Sequence, residues 1–181
     1  MSLTHALRTR RSVREFRADR LSAAELSQLA WSAQGITHEA GYRTAPSAGA
    51  LYPLELYLAT ADGLFRYRPS GDRILPFSAG DLREAMKNAA HGQEAVGEAA
   101  AVFVIAAVYS RTAAKYGPDR GARYVHLEAG HAAQNLLLQA TALGLGAVPV
   151  GAFDDAALHR ALGLPRDEMP LYLIPVGRPR R

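Results

Sequence analysis

The 181-residue chain is 49% hydrophobic and 21% charged, a composition typical of one globular domain with its own core. It contains no cysteine, which excludes disulfides, thiolate zinc sites, iron–sulfur clusters and cysteine nucleophiles. Its net charge of +4 comes with 19 arginines and 2 lysines, and this excess favours an anionic partner such as a phosphate-bearing cofactor or a nucleic acid. The sequence has no apolar run of about 18 residues and no signal-peptide pattern, so we expect a cytoplasmic protein.

The first elements of the chain are predicted to be two helices followed by a loop. Residues 2–8 form the first, short helix. Ser22 and Glu25 have the spacing of a capping box, in which each side chain satisfies a backbone donor of the other residue. The helix that this box opens ends near Gly35, and residues 35–49 lack periodicity, which indicates a loop.

Strands dominate the next part of the chain. Residues 54–60 are apolar and aromatic enough for a strand, and the Asp62-Gly63 turn then predicts a hairpin into residues 64–68. A further strand over 73–77 follows the turn at 70–72, and a helix over 81–90 follows that strand.

The second half begins with a stretch that is apolar on both faces, residues 101–108, which predicts a central strand buried on both sides. We see no internal repeat and no domain boundary, and we expect one α+β domain over residues 1–181. The remaining predicted elements are a long helix over 120–143, a short strand over 147–150, a helix from Asp154 to Leu162 and a last strand over 171–176.

The arginines are concentrated in residues 8–20, which hold six of them around Ser12. Guanidinium groups pair with phosphate oxygens in a bidentate manner, and a serine hydroxyl with backbone N–H groups can fill the remaining acceptor sites. The alternatives are a solvated basic run or a nucleic-acid-binding patch. Nucleic-acid-binding proteins usually add exposed aromatic residues or a recognition helix, and neither accompanies this segment.

Two segments of small residues are further candidates for binding a ligand. Residues 46–50 would let backbone approach something flat or bulky, although an ordinary loop has the same composition. Gly144 and Gly146 follow a helix instead of opening one, so they indicate a helix C-cap and not a dinucleotide fingerprint. Gly151 and Ala152 lie between a short strand and a capped helix, where they would present bare backbone N–H groups.

Two hydrolytic or metal-dependent functions are disfavoured. His126 and His131, in the segment HLEAGH, are five positions apart instead of four, and the glutamate is misplaced for a metalloprotease motif. That pattern favours helix packing and hydrogen bonding. No G-x-S-x-G segment of a serine hydrolase is present.

Four segments stand in a distinctive order: RRSVREF, PSAGALYPLELY, KYGPDRGARYVHLEAGHAAQNLLLQATALGLGAVPVGAFD and LIPVGRP. Their order and spacing, over nearly the whole chain, resemble the nitroreductase family of flavoproteins, most closely its SagB-type dehydrogenase branch. The resemblance implies a three-layer α+β fold, with a central mixed, mostly antiparallel sheet flanked by helices. It also implies FMN as the cofactor and a homodimer that holds each FMN between its subunits.

The resemblance assigns the arginine segment to FMN. Arg10 and Ser12 would bind the phosphate, with Arg11 nearby, and Arg14 would lie beside N1 and O2 of the flavin. The FMN phosphate carries about −1.5 to −2 charges near neutral pH. A cation beside N1 stabilises the negative charge of reduced flavin, which favours hydride acceptance.

The resemblance also assigns the other segments. The family often has an asparagine at the position of Ala50, so here a backbone group would replace the hydrogen bond of that side chain to the flavin. It often has a glutamate at the position of Gly151, so the substrate pocket of this chain would differ. Val150, Gly151 and Ala152 would contact the reactive edge of the flavin, with a backbone N–H directed at N5. The other flavin contacts would be Pro46, Ser47, Ala48, Gly49 and Ala50 on the other side of the flavin, with Arg178, and Arg180 as a second candidate, at the phosphate.

Three functions follow as hypotheses. The first is an FMN-dependent oxidoreductase that transfers hydride by a ping-pong mechanism through N5 to or from a small organic substrate. NAD(P)H is a possible electron donor, and nitroaromatics or quinones are possible acceptors. The second is an azoline dehydrogenase acting on a modified peptide. The third is a basic nucleic-acid-binding or flavin-carrying module without catalysis, although we expect neither a nucleic acid nor a membrane as a partner.

The azoline hypothesis depends on Lys115 and Tyr116, which match a Lys-Tyr pair associated with azoline oxidation in the SagB-type branch. A desolvated lysine could take the substrate proton while the flavin takes the hydride. The alternative is a solvent-facing loop lysine beside a packing tyrosine.

Overall fold

The structure is a computed structural model that describes residues 1–180. Its helices are α1 (Leu3–Thr9), α2 (Ala23–Gln34), α3 (Arg83–Ala89), α4 (Glu94–Glu98), α5 (Tyr109–Tyr116), α6 (Pro118–Ala142) and α7 (Asp155–Leu162). Its strands are β1 (Leu54–Thr60), β2 (Gly63–Arg68), β3 (Arg73–Ala79), β4 (Ala101–Ala107), β5 (Gly146–Ala147) and β6 (Met169–Gly177). Over the described residues, no helix has both the length and the apolar character needed to cross a membrane.

The six strands form one sheet in the order β3-β2-β1-β4-β6-β5. Each ladder between neighbouring strands is antiparallel, and Ile105 of β4 lies opposite Leu56 of β1 on one side and Tyr172 of β6 on the other. Within residues 1–180 a parallel pairing occurs at the isolated bridge between Ser12 and Ala147. The predicted, mostly antiparallel sheet is confirmed.

Strand β4 separates two layers of core. Phe103 and Ile105 point into a core that α2 and α6 cover, whereas Val102 and Val104 point into a second core that α3, α4 and α7 cover. Because successive side chains of a strand point to opposite faces, a strand between two cores must be apolar at every position. This explains the continuous run of apolar residues in the sequence, and the predicted three-layer α+β fold is confirmed.

The segment after α1 is fastened to the end of β6 and to the edge of the sheet. The Phe16 ring, 1% exposed, packs on Gly177, where a Cβ would come within 2.9 Å of the ring. The backbone N–H of Arg17 donates to the Arg178 carbonyl at 2.9 Å, and that of Val13 donates to the Ala147 carbonyl at 3.0 Å. The first and last parts of the chain therefore meet beside β5.

Several element boundaries differ from the prediction. Helices α4 and α5 were not predicted, and α6 begins at Pro118 instead of Arg120, since proline fits the first turn of a helix. The strand predicted over 147–150 is wrong in its extent. Strand β5 covers only Gly146–Ala147, Pro149 has no N–H to donate, and Val150 exchanges separate backbone hydrogen bonds with Leu173.

We expect Gly177→Ala to lower the free energy of unfolding by about 1–3 kcal/mol, because the new methyl group overlaps the buried Phe16 ring. Urea unfolding of the wild type and the variant measures the effect. The matched control is Gly130→Ala in α6, where no heavy atom lies within 4 Å of the added Cβ. It should stabilise the protein by about 0.5–1 kcal/mol, and equal effects of the two substitutions would contradict the proposed contact.

Candidate functional site

The arginine segment presents positive charge that the described residues do not neutralise. Arg10 is half-buried at the end of α1 and Arg14 is exposed, and neither guanidinium makes a hydrogen bond or an ion pair within residues 1–180. Arg11 differs, because its Nη1 donates to the carbonyls of Arg8 at 3.2 Å and Arg10 at 2.8 Å. Ser12 is exposed beside β5. The segment can therefore offer two free guanidinium groups and a hydroxyl to an anion.

Arg178 and Arg180 differ in their contacts, because only the side chain of Arg178 forms an ion pair within residues 1–180. Arg178 Nη2 donates to Glu25 Oε1 at 2.9 Å, and Glu25 Oε2 accepts from the backbone N–H of Ser22 at 2.8 Å in the predicted capping box. The Ser22 N–H and, to a smaller extent, the Arg178 guanidinium hold the pKa of Glu25 below its usual value, although desolvation opposes them. The backbone N–H of Arg180 donates to the Glu15 carbonyl at 3.0 Å, which places this residue beside the arginine segment.

The loop at 46–50 lies directly against Lys115 and Tyr116. Gly49 has a φ of +63°, and a Cβ there would lie 2.8 Å from Tyr116 Oη and 3.1 Å from Lys115 Nζ. Ala50 also takes a left-handed φ of 53°, which costs free energy for a residue with a side chain. The polar ends of the Lys-Tyr pair and the small residues of the loop thus form one surface.

Helix α5 explains where the Lys-Tyr pair lies. Arg111, in the first turn of α5, donates to Glu55 Oε1 at 2.6 Å and to the Tyr52 carbonyl at 3.1 Å. Lys115 is exposed one turn later, and its Nζ lies 5.4 Å from the centroid of the Tyr116 ring, within cation–π range. Lys115 faces solvent, as the alternative interpretation predicted, but it belongs to the last turn of a helix and not to a loop. The expectation of a desolvated lysine is wrong for the single chain.

A buried charge network anchors Arg111. Arg66 pairs with Glu55 at 2.7 Å and with Glu168 at 2.9 Å, and Tyr57 Oη donates to Glu168 at 2.6 Å. Burial favours the neutral form of Glu55, but hydrogen bonds from Arg66 and Arg111 outweigh it and lower the carboxyl pKa. Through Arg111 and Glu55, these charges attach the start of α5 to strand β1.

Glu128, from the HLEAGH segment, is buried at 3% exposure, and its Oε1 has no hydrogen-bond partner within residues 1–180. Burial raises its pKa to about 7, against the opposing effects of the Ser47 hydroxyl and the Arg43 charge. Gln34 is also buried, with its Oε1 accepting from Arg43 Nη1 at 2.5 Å and its Nε2 unpartnered. A proton-binding carboxyl therefore lies next to the 46–50 loop.

A groove of about 460 Å³ lies beside Gly151. Gly151 and Ala152 are exposed just after the backbone bonds of Val150 to β6, and the nearest atoms to a Gly151 Cβ belong to the Tyr172 ring at 3.7 Å. The groove is lined by Tyr109, His126, Ala129, Gly130, Gly151, Phe153, Asp155, Pro170, Leu171 and Tyr172.

The sequence did not predict Tyr109 or His126 as site residues. Their side chains meet because α5 and α6 fold back on each other at Gly117, with Tyr109 Oη and His126 Nε2 2.6 Å apart. The two residues are 17 positions apart in two different helices, and no local spacing signals such a contact. Because α5 was not predicted, the contact between Tyr109 and His126 could not be predicted either.

The predicted site residues fall into two groups. The first contains the arginine segment, Val150–Ala152 and residues 178–180, which β5 and β6 bring together. The second contains residues 46–50 with Lys115 and Tyr116. Over residues 1–180, no hydrogen bond or ion pair joins the two groups.

The sequence profile of the nitroreductase family matches residues 7–178. A candidate nitroreductase of Methanocaldococcus jannaschii is 44% identical over 184 residues, covering 98% of this chain and 91% of the relative. The crystal structure of a candidate nitroreductase from Ralstonia eutropha has a TM-score of 0.91 at 32% identity, covering 100% of this chain and 84% of that one.

Two solved structures under 25% identity share the fold. One is the E. coli microcin synthetase McbBCD complex with truncated pro-MccB17 bound, with a TM-score of 0.85, 23% identity and coverage of 100% of this chain and 74% of that one. The other is the NADPH:FMN oxidoreductase from Vibrio harveyi complexed with NAD+, with a TM-score of 0.74, 22% identity and coverage of 99% and 69%.

We expect Glu128→Gln to change how stability depends on pH. A carboxyl whose pKa rises from 4.5 to about 7 on folding binds its proton more tightly in the native state. Its contribution to stability is therefore complete below pH 4.5 and is lost as pH rises through 7. At about 1.4 kcal/mol per pKa unit, the loss is on the order of 3 kcal/mol.

Urea unfolding between pH 5 and pH 8 measures this effect as the difference in free energy of unfolding between the variant and the wild type. The difference should rise with pH in favour of the variant. Glu39→Gln, at an exposed glutamate, is the control and should give a flat difference. Parallel curves for Glu128→Gln and the wild type would contradict the raised pKa.

Proposed function

The chain belongs to the nitroreductase family, and from that premise we propose that it is an FMN-dependent oxidoreductase. It moves a hydride between flavin N5 and a small organic substrate. The observation that carries the proposal is the pair of free guanidinium groups, Arg10 and Arg14, which β5 and the end of β6 hold in place. Two cations without a protein partner, on a segment that backbone bonds fix to the sheet, suit a ligand that carries negative charge at two places, as FMN does at its phosphate and at the pyrimidine edge of its reduced flavin.

The residues present fit FMN. Arg10 and Ser12 bind the phosphate, and Arg180, brought alongside by its bond to Glu15, adds a third cation. Arg14 stabilises negative charge on the pyrimidine edge of the flavin. Gly151 is exposed and has no side chain to obstruct a planar ring. When bound, FMN supplies the hydride acceptor or donor.

We infer that the site is completed in a homodimer, with FMN at the interface between two copies of the single domain. The two groups of predicted residues make no direct bond to each other in one chain, so a second copy can supply the 46–50 loop. Apolar side chains for such an interface are exposed on two helices that flank this region: Leu3 (66%) and Leu7 (55%) on α1, and Leu127 (53%) on α6.

NAD(P)H would be the electron donor, and it would leave the groove before an organic acceptor enters. The NADPH:FMN oxidoreductase from Vibrio harveyi, which shares the fold, supports this choice. One groove beside Gly151 then serves both reactants in turn, as ping-pong transfer requires. A cytoplasmic location stays a prediction.

The visible spectrum of the purified protein tests the proposal. We expect flavin absorption bands and FMN released at about one per chain, with NAD(P)H oxidised under steady turnover. A colourless protein that does not take up added FMN would overturn the proposal. Salt-sensitive DNA binding without a flavin spectrum would support the nucleic-acid alternative instead.

We expect Arg14→Ala to lower the midpoint potential of the bound flavin or weaken FMN retention, because the variant loses the cation that stabilises reduced flavin. Flavin content after gel filtration and a spectroelectrochemical titration measure the two effects. Arg73→Ala, at an exposed arginine on the opposite edge strand β3, is the matched control and should change neither. Unchanged content and potential in Arg14→Ala would reject the assigned role.

A second candidate function, azoline oxidation on a modified peptide, is favoured by the contact of Lys115 and Tyr116 with Gly49. In it, Lys115 takes the substrate proton. The shared fold with the McbBCD complex, which holds truncated pro-MccB17, supports this candidate.

Lys115→Gln should abolish oxidation of a thiazoline-containing peptide while flavin content stays constant, because the variant has no amine to take the proton. The chain has one other lysine, Lys87, whose Nζ pairs with Glu84 and Glu94 on the far side of the sheet, and Lys87→Gln is the control. If the wild type reduces quinones but leaves the peptide unchanged, this second candidate is wrong.

A further inference from the structure

The groove beside Gly151 contains a phenol and an imidazole in direct contact. Tyr109 Oη and His126 Nε2 are 2.6 Å apart, and the two rings meet edge to face with centroids 5.7 Å apart. Tyr109 is half-buried and His126 is exposed, so the pair connects the groove to solvent. Neither Tyr109 nor His126 has a role in the FMN site proposed above.

The other groups of the groove leave Tyr109 protonated. Asp155 is the one carboxylate of the described lining, and Tyr172 is the other phenol, while the remaining lining residues are apolar or glycine. Burial and, to a smaller extent, the charge of Asp155 raise the pKa of Tyr109. The phenol therefore keeps its proton unless a neighbour accepts it.

The charge of His126 decides which way a proton can pass. With a neutral imidazole, the phenol donates its proton to Nε2 and its oxygen can accept a proton from the groove. With a protonated imidazole, Nε2–H donates to the phenol oxygen, and the phenol proton is free to be donated into the groove. The pair is a base in the first state and an acid in the second.

We propose that Tyr109 is a catalytic proton donor and acceptor at the flavin site, acting on a quinone or another conjugated carbonyl, and that His126 acts through it. The inference rests on the proposed function, because Gly151 marks where the reactive edge of the flavin would lie.

Reduction of the acceptor would consume one hydride and one proton. The oxidised organic acceptor gains one hydride from the reduced flavin, which NAD(P)H supplies, and one proton from Tyr109 Oη. In a conjugated carbonyl the hydride would form a C–H bond and the oxygen would become a hydroxyl, whereas in a quinone the hydride and the proton together would convert both carbonyl oxygens to hydroxyls. The phenol would regain a proton from His126, which exchanges with solvent. Oxidation of an alcohol or hydroquinone uses the same atoms in reverse, with His126 neutral at the start.

The test compares two acceptors with the FMN-loaded protein and NADPH. The organic acceptor 1,4-benzoquinone takes up protons with its electrons, whereas ferricyanide takes electrons alone. Tyr109→Phe should lower kcat with benzoquinone by about 100-fold, a typical contribution of general acid catalysis. It should leave ferricyanide reduction and flavin content unchanged. His126→Gln should also lower kcat with benzoquinone and leave ferricyanide reduction unchanged, because glutamine cannot return a proton to the phenol.

The chain offers a matched control in its second Tyr–His pair, Tyr42 and His38, whose rings stack 5.3 Å apart outside the groove. Tyr42→Phe should change neither reaction. Equal losses with both acceptors in Tyr109→Phe would overturn the proposal, as would no loss with benzoquinone. A wild type that binds no FMN or reduces neither acceptor would refute the proposed function itself, and this inference with it.

A measurement on the flavin-free protein tests the pair without catalysis. In ¹⁵N NMR, the His126 ring of the neutral wild type should show Nε2 as the hydrogen-bond acceptor and Nδ1 as the protonated nitrogen. Tyr109→Phe should shift the ring toward protonation at Nε2. Ring ¹⁵N shifts that are identical in the two proteins would show that the pair does not form in solution, and would overturn the proposal.

Discussion

The packing of the Phe16 ring on Gly177 is the contact on which the proposed anion site depends. Arg10 follows directly on α1, but residues 11–20 form no helix or regular strand, so tertiary contacts decide where Arg14 lies. The buried ring and the neighbouring backbone bonds to Ala147 and Arg178 place this segment along the edge of the sheet. Without that contact, Arg10 and Arg14 would form only a solvated basic run.

The central sheet determines where the two groups of predicted site residues lie. Its β5–β6 edge holds the cationic segment and Gly151, whereas α5, which follows the central strand β4, holds the Lys-Tyr pair against the 46–50 loop. Arg111 of α5 pairs with Glu55 of β1, which Arg66 also holds, and these pairs attach the start of α5 to the sheet.

Local signals predicted much of the fold and tertiary contacts account for what they missed. The capping box at Ser22 and Glu25 and the run of β4 were readable because each is encoded in neighbouring residues. Helix α5 was missed because its N-cap, Val108, offers no side-chain hydrogen bond. The contacts between Tyr109 and His126 and between Arg178 and Glu25 join separate elements, which spacing cannot reveal.

The order of four sequence motifs predicted the nitroreductase family, and the match of the family profile to residues 7–178 confirms it. The SagB-type branch and the roles of the individual residues stay predictions. The environment of a side chain cannot be predicted from a motif. The sequence predicts that Glu128 is a packing residue of a helix, but its carboxyl is buried with one unpartnered oxygen, and burial raises its pKa to about 7.

The bond between Arg178 and Glu25 joins residues 153 positions apart, and the Phe16–Gly177 contact spans a similar distance. Closing such long loops carries an entropic cost, and neither contact can form before β6 has been synthesised. During synthesis, the arginine segment and α2 leave the ribosome long before β6 exists to receive them. The nascent chain therefore carries its basic segment unanchored until the final strand has formed.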